Sequence, residues 1–444
     1  KYTVGYSDYR SYLLGEKDGI KKTQSWAEKI TGVQEEKITQ LAKNYAQIKP
    51  AALLAGWGPQ RTEYGEQSAR ALITLACMSG NVGVRGGGFG GIGYRYKSIP
   101  IGALPRGPYK PITRVNSATW ASTVLDNNLD PPIKMAYIVA SNLINRCPDT
   151  ERNIKALMQI DFIVCQDPYF TPTARYSDIV LPICTDLERT DLVGSWPQGS
   201  RLFYNRQLIK KLGESKTDYW VFSKLAERFG FYEEYTHGRN EKEWINFLLE
   251  SSELDAKELK EKGLIRQDGE PEVALAKFRA DPKKNPLNTQ SGLIEINFSE
   301  AEKTGLPSIP SYIDLNKSSS EYPLQLITPT SRLRARSSLH TNAWLQRLEP
   351  HTVWINSGDA SDREIINGEM VEVRSNVGRT RIIAMVTERI MPGVVSIYHG
   401  TWYQPAEDGV DKGGCANVLT SHRVTKTGGF ATHSDWVEVK RLSE

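Results

Sequence analysis

At about 150 residues per domain, a chain of 444 residues has room for roughly three domains and a sizeable core. Its 39% hydrophobic and 24% charged content excludes the disordered and fibrous classes. Against 52 acidic side chains stand 56 basic ones, so the net +4 is no concentrated surplus and no nucleic-acid partner is expected. No run approaches the roughly 18 consecutive apolar residues of a transmembrane helix. The chain opens KYTVGYSDYR, with neither an initiator Met nor an apolar signal region, and reads as a piece of something longer.

From about 50 to 230, short apolar runs alternate with helical periodicity, the pattern of parallel α/β units. In AALLAGWGPQRTEYGEQSARALITLACMSG, AALLAG predicts a buried strand. From Glu63 onward Ala69, Leu72, Ile73 and Ala76 recur at helical spacing, predicting a helix that ends near Gly80. The turn Gly56–Arg61 then lies between a strand end and a helix N-terminus, where backbone N–H groups gather and suit an anion. Trp57 has a face on which a flat ring could stack, and Arg61 a fork for phosphate. An ordinary βα turn with a packed Trp satisfies the same pattern. The glycines of GNVGVRGGGFGGIG, Gly80 to Gly93, do not sit in a strand-to-helix turn and predict a flexible or tightly packed loop.

The next stretch reads as a strand (Met135–Ala140), a helix (about 150–158) and a second strand (Phe162–Cys165). A parallel crossover would set Ser141 and Asn142 beside Gln166 and Asp167 at the carboxyl edge, making Asp167 a candidate nucleotide anchor. The G-x-G-x-x-G fingerprint is absent there, and a generic α/β edge remains the alternative. Between about 235 and 320, ELDAKELKEKGL, RADPKKNPLNTQSG and NKSSSEYP predict a surface helix followed by a linker.

Beyond Leu324 the pattern turns strand-like in LQLIT, TVWIN, MVEVRSNVGRTRIIAMV and VVSIY, predicting a small β-barrel with a hairpin turn at Ser375–Gly378. In TPTSRLRARSSLHTN, Arg332, Arg334 and Arg336 alternate; in an extended segment they share one face suited to pyrophosphate. A charge-guarded edge strand is the bland counterpart. GGCANVLTSHRVTKTGGFATHS is a polar loop whose Asn417 has the reach for a ligand.

Several chemistries are disfavoured. Cys77, Cys147, Cys165, Cys184 and Cys415 are isolated, with no C-x-x-C, which argues for buried thiols rather than a cluster or a disulfide framework. The histidines show no metal-ligand spacing, and neither G-x-S-x-G nor a P-loop occurs.

Taken in order, GWGPQR, GEQSARA, MSGNVGVRGG, ASNLINRCPD, QDPYFTPTARYSDIVLP, DLERTD, TPTSRLRARS, MPGVVSIYHGTWYQP and GGCANVLT resemble the molybdopterin oxidoreductases of the dimethyl sulfoxide reductase family. The resemblance runs from about Lys37 to the C-terminus and is least distinctive over 235–320. It implies an α/β fold class: parts of two Rossmann-like parallel-sheet domains followed by a double-psi-like β-barrel. The expected limits are 1–105 for the end of an inserted α/β domain, 106–305 for the second half of the outer one, and 306–444 for the barrel.

The implied cofactor is molybdenum bis(molybdopterin guanine dinucleotide), and the implied activity is reduction of S- or N-oxides by two-electron oxygen-atom transfer in anaerobic respiration. Nitrate, polysulfide, thiosulfate or formate chemistry, or a non-catalytic nucleotide-cofactor-binding half, are the alternatives. By motif, Trp57, Gly58 and Arg61 match contacts to one cofactor arm, while Ser141, Asn142, Asn145, Gln166 and Asp167 match contacts to nucleotide and diphosphate. Arg189 and Asp218 match the guanine end. Thr328, Arg332, Arg334, Arg336 and Ser337 match the pterin loop, with Arg336 where the family commonly carries His. Asn417 and Gly429, in the Gly428–Phe430 region, match the last barrel contacts. No catalytic side chain and no metal ligand is assigned within the chain.

The resemblance further implies that the chain is the C-terminal half of a catalytic subunit and incomplete alone, with the N-terminal half as partner. That half would supply the molybdenum ligand and any Fe–S cluster. An Fe–S electron-transfer subunit and a membrane anchor subunit are the other implied partners. Placement is expected to be extracytoplasmic, in the periplasm and membrane-associated through those partners, with the cytoplasm as the alternative.

Overall fold

The computed structural model describes every residue except 92–98, 109–110, 112, 196–198, 251, 253, 268, 270–271, 316 and 443–444. Two units are distinguished: 1–94 with 271–327 and 423–436, and 95–270 with 328–422 and 437–444.

The first unit starts with β1 (Thr3–Val4) and the helices α1 (Tyr6–Leu13), α2 (Gln24–Thr31) and α3 (Glu35–Gln47). Thr23 caps α2 by accepting from Trp26 N at 3.1 Å, and Gly32 ends it at φ +68°, a left-handed position that favours glycine. β2 (Ala52–Ala55) then leads into α4 (Glu66–Met78). This strand–turn–helix unit was expected, but the strand is not buried, with Leu54 66% exposed, and the helix begins at Glu66 rather than Glu63. Pro59–Arg61 form a separate 3-10 turn, and a Cβ on Gly65 would stand 2.6 Å from the Gln60 backbone, so the chain doubles back first. The glycine-rich loop is corrected too: its Gly88–Gly91 are a strand, β3, parallel to β2 with Leu53 opposite Phe89. Residues 92–93 of that stretch lie outside the described residues.

In the second unit α5 (Trp120–Leu125) precedes β4 (Met135–Val139), α6 (Leu143–Arg146), α7 (Thr150–Leu157), β5 (Phe162–Asp167), α8 (Pro172–Arg175) and β6 (Ile179–Pro182). β4, β5 and β6 form a parallel sheet with β5 central, Val139 opposite Gln166 and Asp167 opposite Pro182. Asp149 caps α7 by accepting from Arg152 N at 3.1 Å. Beneath the sheet Ile138, Ile144, Leu157, Ile160 and Ile163 bury a common core with Tyr403, Cys415 and Val418. Each such aliphatic side chain contributes about 1.5–3 kcal/mol.

β7 (Asp191–Gly194) and β8 (Arg201–Asn205) pair antiparallel, and α9 (Asp218–Phe229) follows, capped by Thr217 and ended by Gly230 at φ +80°. Next come α10 (Tyr232–Thr236), α11 (Glu241–Glu250), α12 (Ala256–Lys262) and β9 (Leu264–Arg266), which pairs with β8. The expected surface helix is α12, but it is packed through one position and the strand β9, not a bare linker, follows it. Leu202, Ile245, Leu249 and Leu259 form a second buried core, and Leu259 has no exposed surface. In ELDAKELKEKGL the charges occupy most of the helix and mask a single buried position. Back in the first unit, α13 (Ala276–Ala280) is followed by β10 (Ile294–Glu295), which pairs parallel with β1.

The C-terminal strands close into a barrel. They are β11 (Leu324–Ile327), β12 (Thr352–Ile355), β13 (Met370–Arg374), β14 (Arg379–Val386), β15 (Val394–Ile397) and β16 (Asp435–Arg441), in the order β11-β15-β12-β14-β13-β16. Between them stand α14 (Ala343–Leu348) and α15 (Ser357–Ser361). β12 and β14 run parallel, while β13 and β14 form the expected hairpin, closed by Ser375 N donating to Gly378 O at 3.0 Å. Val371, Val373, Val437 and Val439 are buried at alternate positions, the period-two signature of a half-buried strand. The arginine run is not extended: Arg332–Arg336 lie in turns between β11 and α14, with Arg336 at φ +58°, so the shared face expected of an extended segment does not form. Among the described residues no helix is long and apolar enough to cross a membrane.

Candidate functional site

The carboxyl edge of the β4–β5–β6 sheet carries the densest polar arrangement. Ala140, at φ +47°, turns the chain out of β4 while its N–H donates to Gln166 O at 2.9 Å. Ser141 and Asn142 therefore stand beside Gln166 and Asp167, the adjacency expected from the alternating pattern. Gln166 is fully buried; its Oε1 accepts from Tyr137 OH at 2.8 Å and its Nε2 donates to Asp218 Oδ1 at 2.6 Å. Asp218 Oδ2 lies 3.7 Å from Arg189 Nη1. Arg189 also pairs with Asp186 at 3.0 Å and Asp191 at 3.4 Å, yet its buried Nε has no hydrogen-bond partner among the described residues. Asp167, also buried, accepts from Tyr169 N at 2.9 Å, and burial raises its pKa from the ordinary Asp value, against the lowering effect of that bond.

Glu188, which the motif reading passed over, fixes the turn that presents Arg189. Its carboxylate accepts from Thr185 N at 2.8 Å, Thr185 Oγ1 at 2.7 Å, Leu212 N at 2.7 Å and Ser215 Oγ at 2.9 Å. Those donors, the Leu212 N–H foremost, hold it down to a pKa of about 2. The signal was present as Thr185-x-x-Glu188, a capping-box spacing.

A second group joins the α/β layer to the barrel within the same unit. Asn142 Oδ1 accepts from Thr173 Oγ1 at 2.9 Å, and its Nδ2 donates to Asn145 Oδ1 at 3.4 Å. Asn145 Nδ2 donates to Thr401 O and to Cys415 Sγ at 3.5 Å, while Asn417 Nδ2 donates to Asn145 O at 2.7 Å. The Asn145 and Asn417 amides thus bracket α6 to the loop after β15. Thr328 is buried, its carbonyl accepting from His399 Nδ1 at 3.0 Å, and Ser337 O accepts from Trp402 Nε1 at 2.9 Å. Arg332 and Arg336 are exposed, whereas Arg334 is half-buried beside His340 and Thr401. Gly400, at φ +94°, lets the chain pass against the Arg336 backbone, where a Cβ would collide.

In the first unit Trp57 and Gly58 are exposed in the β2–α4 turn. Arg61 O accepts from His433 N at 3.0 Å, and the Arg61 guanidinium stands 5.9 Å from the Phe430 ring. Gly429 sits in the adjoining tight turn, where Thr425 N donates to Gly429 O at 2.8 Å. Two stretches some 370 residues apart in sequence, Arg61 and Gly428–Phe430, are thereby neighbours. Glu63 ties them further, pairing with Lys317 at 2.8 Å and Arg423 at 3.8 Å.

Residues 22–228 match the family described as Molybdopterin oxidoreductase, and residues 324–436 match the Molydopterin dinucleotide binding domain. The chain belongs to the molybdopterin oxidoreductases of the dimethyl sulfoxide reductase family. It is 36% identical to dimethyl sulfoxide reductase DmsA of Escherichia coli K12, over all of this chain and 61% of that protein. It is 34% identical to the trimethylamine-N-oxide reductase of Haemophilus influenzae, over 95% of this chain and 58% of the relative. The dimethyl sulfoxide/trimethylamine N-oxide reductase of Cereibacter sphaeroides is 32% identical over 94% and 57%. The chain therefore spans about 60% of the length of the curated relatives it matches. The fold is shared with acetylene hydratase from Pelobacter acetylenicus, with a TM-score of 0.75 at 18% identity over all of this chain and 67% of that one.

The family's cofactor is molybdenum bis(molybdopterin guanine dinucleotide). The donor set at the sheet edge fits its nucleotide end. A guanine edge offers N–H donors that suit the Asp167 and Asp218 carboxylates, and acceptors that suit a guanidinium. Among the described residues the buried Arg189 Nε–H has no acceptor, and a buried donor left that way costs about 1–3 kcal/mol unless a ligand supplies one.

Proposed function

We propose that this chain is the cofactor-holding portion of a molybdenum enzyme that reduces S- or N-oxides in anaerobic respiration. The single observation that carries the reading is the Gln166–Asp218–Arg189 arrangement at the sheet's carboxyl edge, with the unpaired Arg189 Nε. The names of the curated relatives, dimethyl sulfoxide and trimethylamine-N-oxide reductases, favour the substrate class. When bound, the molybdenum group supplies two-electron oxygen-atom transfer.

The chain's own residues bind and orient. Asp167 and Asp218 hold a guanine edge, with Arg189 donating to its acceptors. Arg61, Arg332, Arg334 and Arg336 offset diphosphate and pterin negative charge. Trp57, Gly58, Ser141, Asn142, Thr328, Ser337 and Gly429 line backbone turns that approach the cofactor, and Asn145 and Asn417 hold α6 to the loop after β15. The domain limits we assign are 1–105, 106–305 and 306–444. The partners are the rest of the catalytic subunit, an Fe–S electron-transfer subunit and a membrane anchor subunit, on the periplasmic side.

The test is acid release of guanine nucleotide and molybdenum from the purified protein, read by mass spectrometry. GMP near two per molybdenum is expected, with lower content in Arg61→Ala and Asp167→Ala at little change in melting temperature. Full occupancy in both variants, or a fall in melting temperature alone, removes these residues from the cofactor contacts.

A further inference from the structure

The hydrogen bonds around Arg334 have their directions forced. A guanidinium only donates, so His340 Nδ1, 3.3 Å from Arg334 Nη1, is an unprotonated acceptor and His340 carries its proton on Nε2. Gly414 O only accepts, so His351 Nε2, 2.8 Å away, is protonated. Burial keeps both imidazoles neutral near pH 7, so His351 Nδ1 accepts from the Thr401 hydroxyl at 3.2 Å. That hydroxyl, its proton committed, turns a lone pair to Arg334 Nη1 at 3.3 Å. The line runs Arg334 to Thr401 to His351 to the Gly414 carbonyl.

Every member is anchored. Thr401 O is held by Asn145 Nδ2. His351 packs so close to Gly414 that a Cβ there would lie 2.8 Å from the ring, and Gly414 takes φ +73°. His340 lies 5.7 Å from the Trp402 ring at a 35° tilt, and its carbonyl accepts from Gln346 Nε2 at 2.6 Å. The charged and titratable groups facing this arrangement are Arg334, Glu349 and Tyr398, besides the two histidines; Glu349 accepts from Ser331 Oγ on the arginine loop. Arg334 Nε and Nη2 find no protein acceptor among the described residues, so the fixed end of the guanidinium is Nη1 and the free donors point away from it.

The geometry points to His351 as a positioning residue for Arg334, acting through the Thr401 hydroxyl, with His340 as the second acceptor that fixes the guanidinium plane. A two-point hold on one nitrogen fixes the fork in a single orientation for a bidentate anionic or pterin partner. The loop around it is turn-rich and cannot do this by itself. This inference rests on the cofactor reading above for what Arg334 meets, but the hold itself is a property of the chain alone.

The experiment therefore has two readouts on the full chain. In protein labelled with 15N-histidine and 15N-arginine, His340 and His351 are expected as Nε2–H tautomers, with slow rotation at Arg334 Nη. Thr401→Val preserves packing and removes the hydroxyl, and His351→Phe preserves the ring and removes both nitrogens. Each is expected to speed Arg334 rotation about tenfold, the equivalent of losing one hydrogen bond to a charged group. Thr401→Ser is expected to restore slow rotation. A packing role gives the reverse pattern, with Val silent and Ser disturbed, and overturns the proposal, as does protonated Nδ1 on His351. The second readout is the rate at which pterin leaves protein on dialysis, expected to rise about tenfold in Thr401→Val and to recover in Thr401→Ser. If wild-type protein carries no pterin, the cofactor reading fails while the rotation data still decide the hold. Wild-type retention with equal release from Thr401→Val overturns the inference and leaves the cofactor reading intact.

Discussion

Gln166 Nε2 donates to Asp218 Oδ1 at 2.6 Å, joining the end of β5 to the first turn of α9. The bond fixes which carboxylate oxygen faces Arg189, because the other stands 3.7 Å from the guanidinium. One amide thus sets the orientation of a charge pair at the edge of a parallel sheet.

Asp218→Asn retains the shape and removes the charge. It is expected to cost about 1–2 kcal/mol of stability and to lower the guanine nucleotide content markedly. Denaturant titration and nucleotide release on the same preparation separate the two effects. Unchanged nucleotide with reduced stability would make Asp218 a fold residue only.

Glu188 makes an acid limb in the stability profile. Its folded-state pKa of about 2 lies below its ordinary 4.5, so its contribution is present above 4.5 and is lost as pH falls from there towards 2. Glu188→Gln is expected to melt lower at pH 7 and to lose less on acidification through that window than wild type. Parallel melting curves for both proteins between pH 5 and 2.5 would refute this assignment.

His340 and His351 act in a higher window. Burial, then the Arg334 charge, holds His340 down to about 4 from 6.5, and burial holds His351 at a similar value. Between pH 6.5 and 4 the unfolded chain binds more protons than the folded one, so stability falls as pH falls through that range. Replacing His351 by Phe is expected to remove roughly half of that slope. Differential scanning calorimetry at half-unit pH steps reads it directly, and an unaltered slope counts against the buried neutral state.

Leu259→Ala tests whether the charged stretch before residue 270 is a packed element. As a fully buried leucine it is expected to cost about 2–5 kcal/mol, whereas a linker residue costs next to nothing. Urea unfolding of the two proteins decides between them.

Period and punctuation made much of the fold legible. Met135–Val139, the helix from Thr150 and Phe162–Asp167 alternate apolar runs with a capped amphipathic segment, and that pattern specifies a parallel pair. The hairpin at Ser375–Gly378 was readable from turn residues between two alternating strands. β16 was not, although Val437 and Val439 alternate, because so short an apolar alternation after a long polar loop does not stand out from it. Leu259 was hidden by the charges around it. The alternation of Arg332, Arg334 and Arg336 read as a strand because side-chain spacing carries no information about φ, and Arg336 sits at +58°. For the site, Gln166, Asp167 and their neighbours were readable from strand ends. His351 and Thr401 were not, since their meeting depends on a glycine at 414 and on a contact spanning 50 positions.

Asn145 has a consequence for synthesis. Its side chain and carbonyl are satisfied by Thr401, Cys415 and Asn417, which follow it by 256, 270 and 272 positions. While the chain is being made, α6 therefore emerges with buried-type polar groups and nothing to bond them. Closure of so long a loop is slow. The turn bearing Ser141 and Asn142 acquires its final shape only once the chain through Asn417 has left the ribosome, so this sheet edge matures late relative to the strands around it.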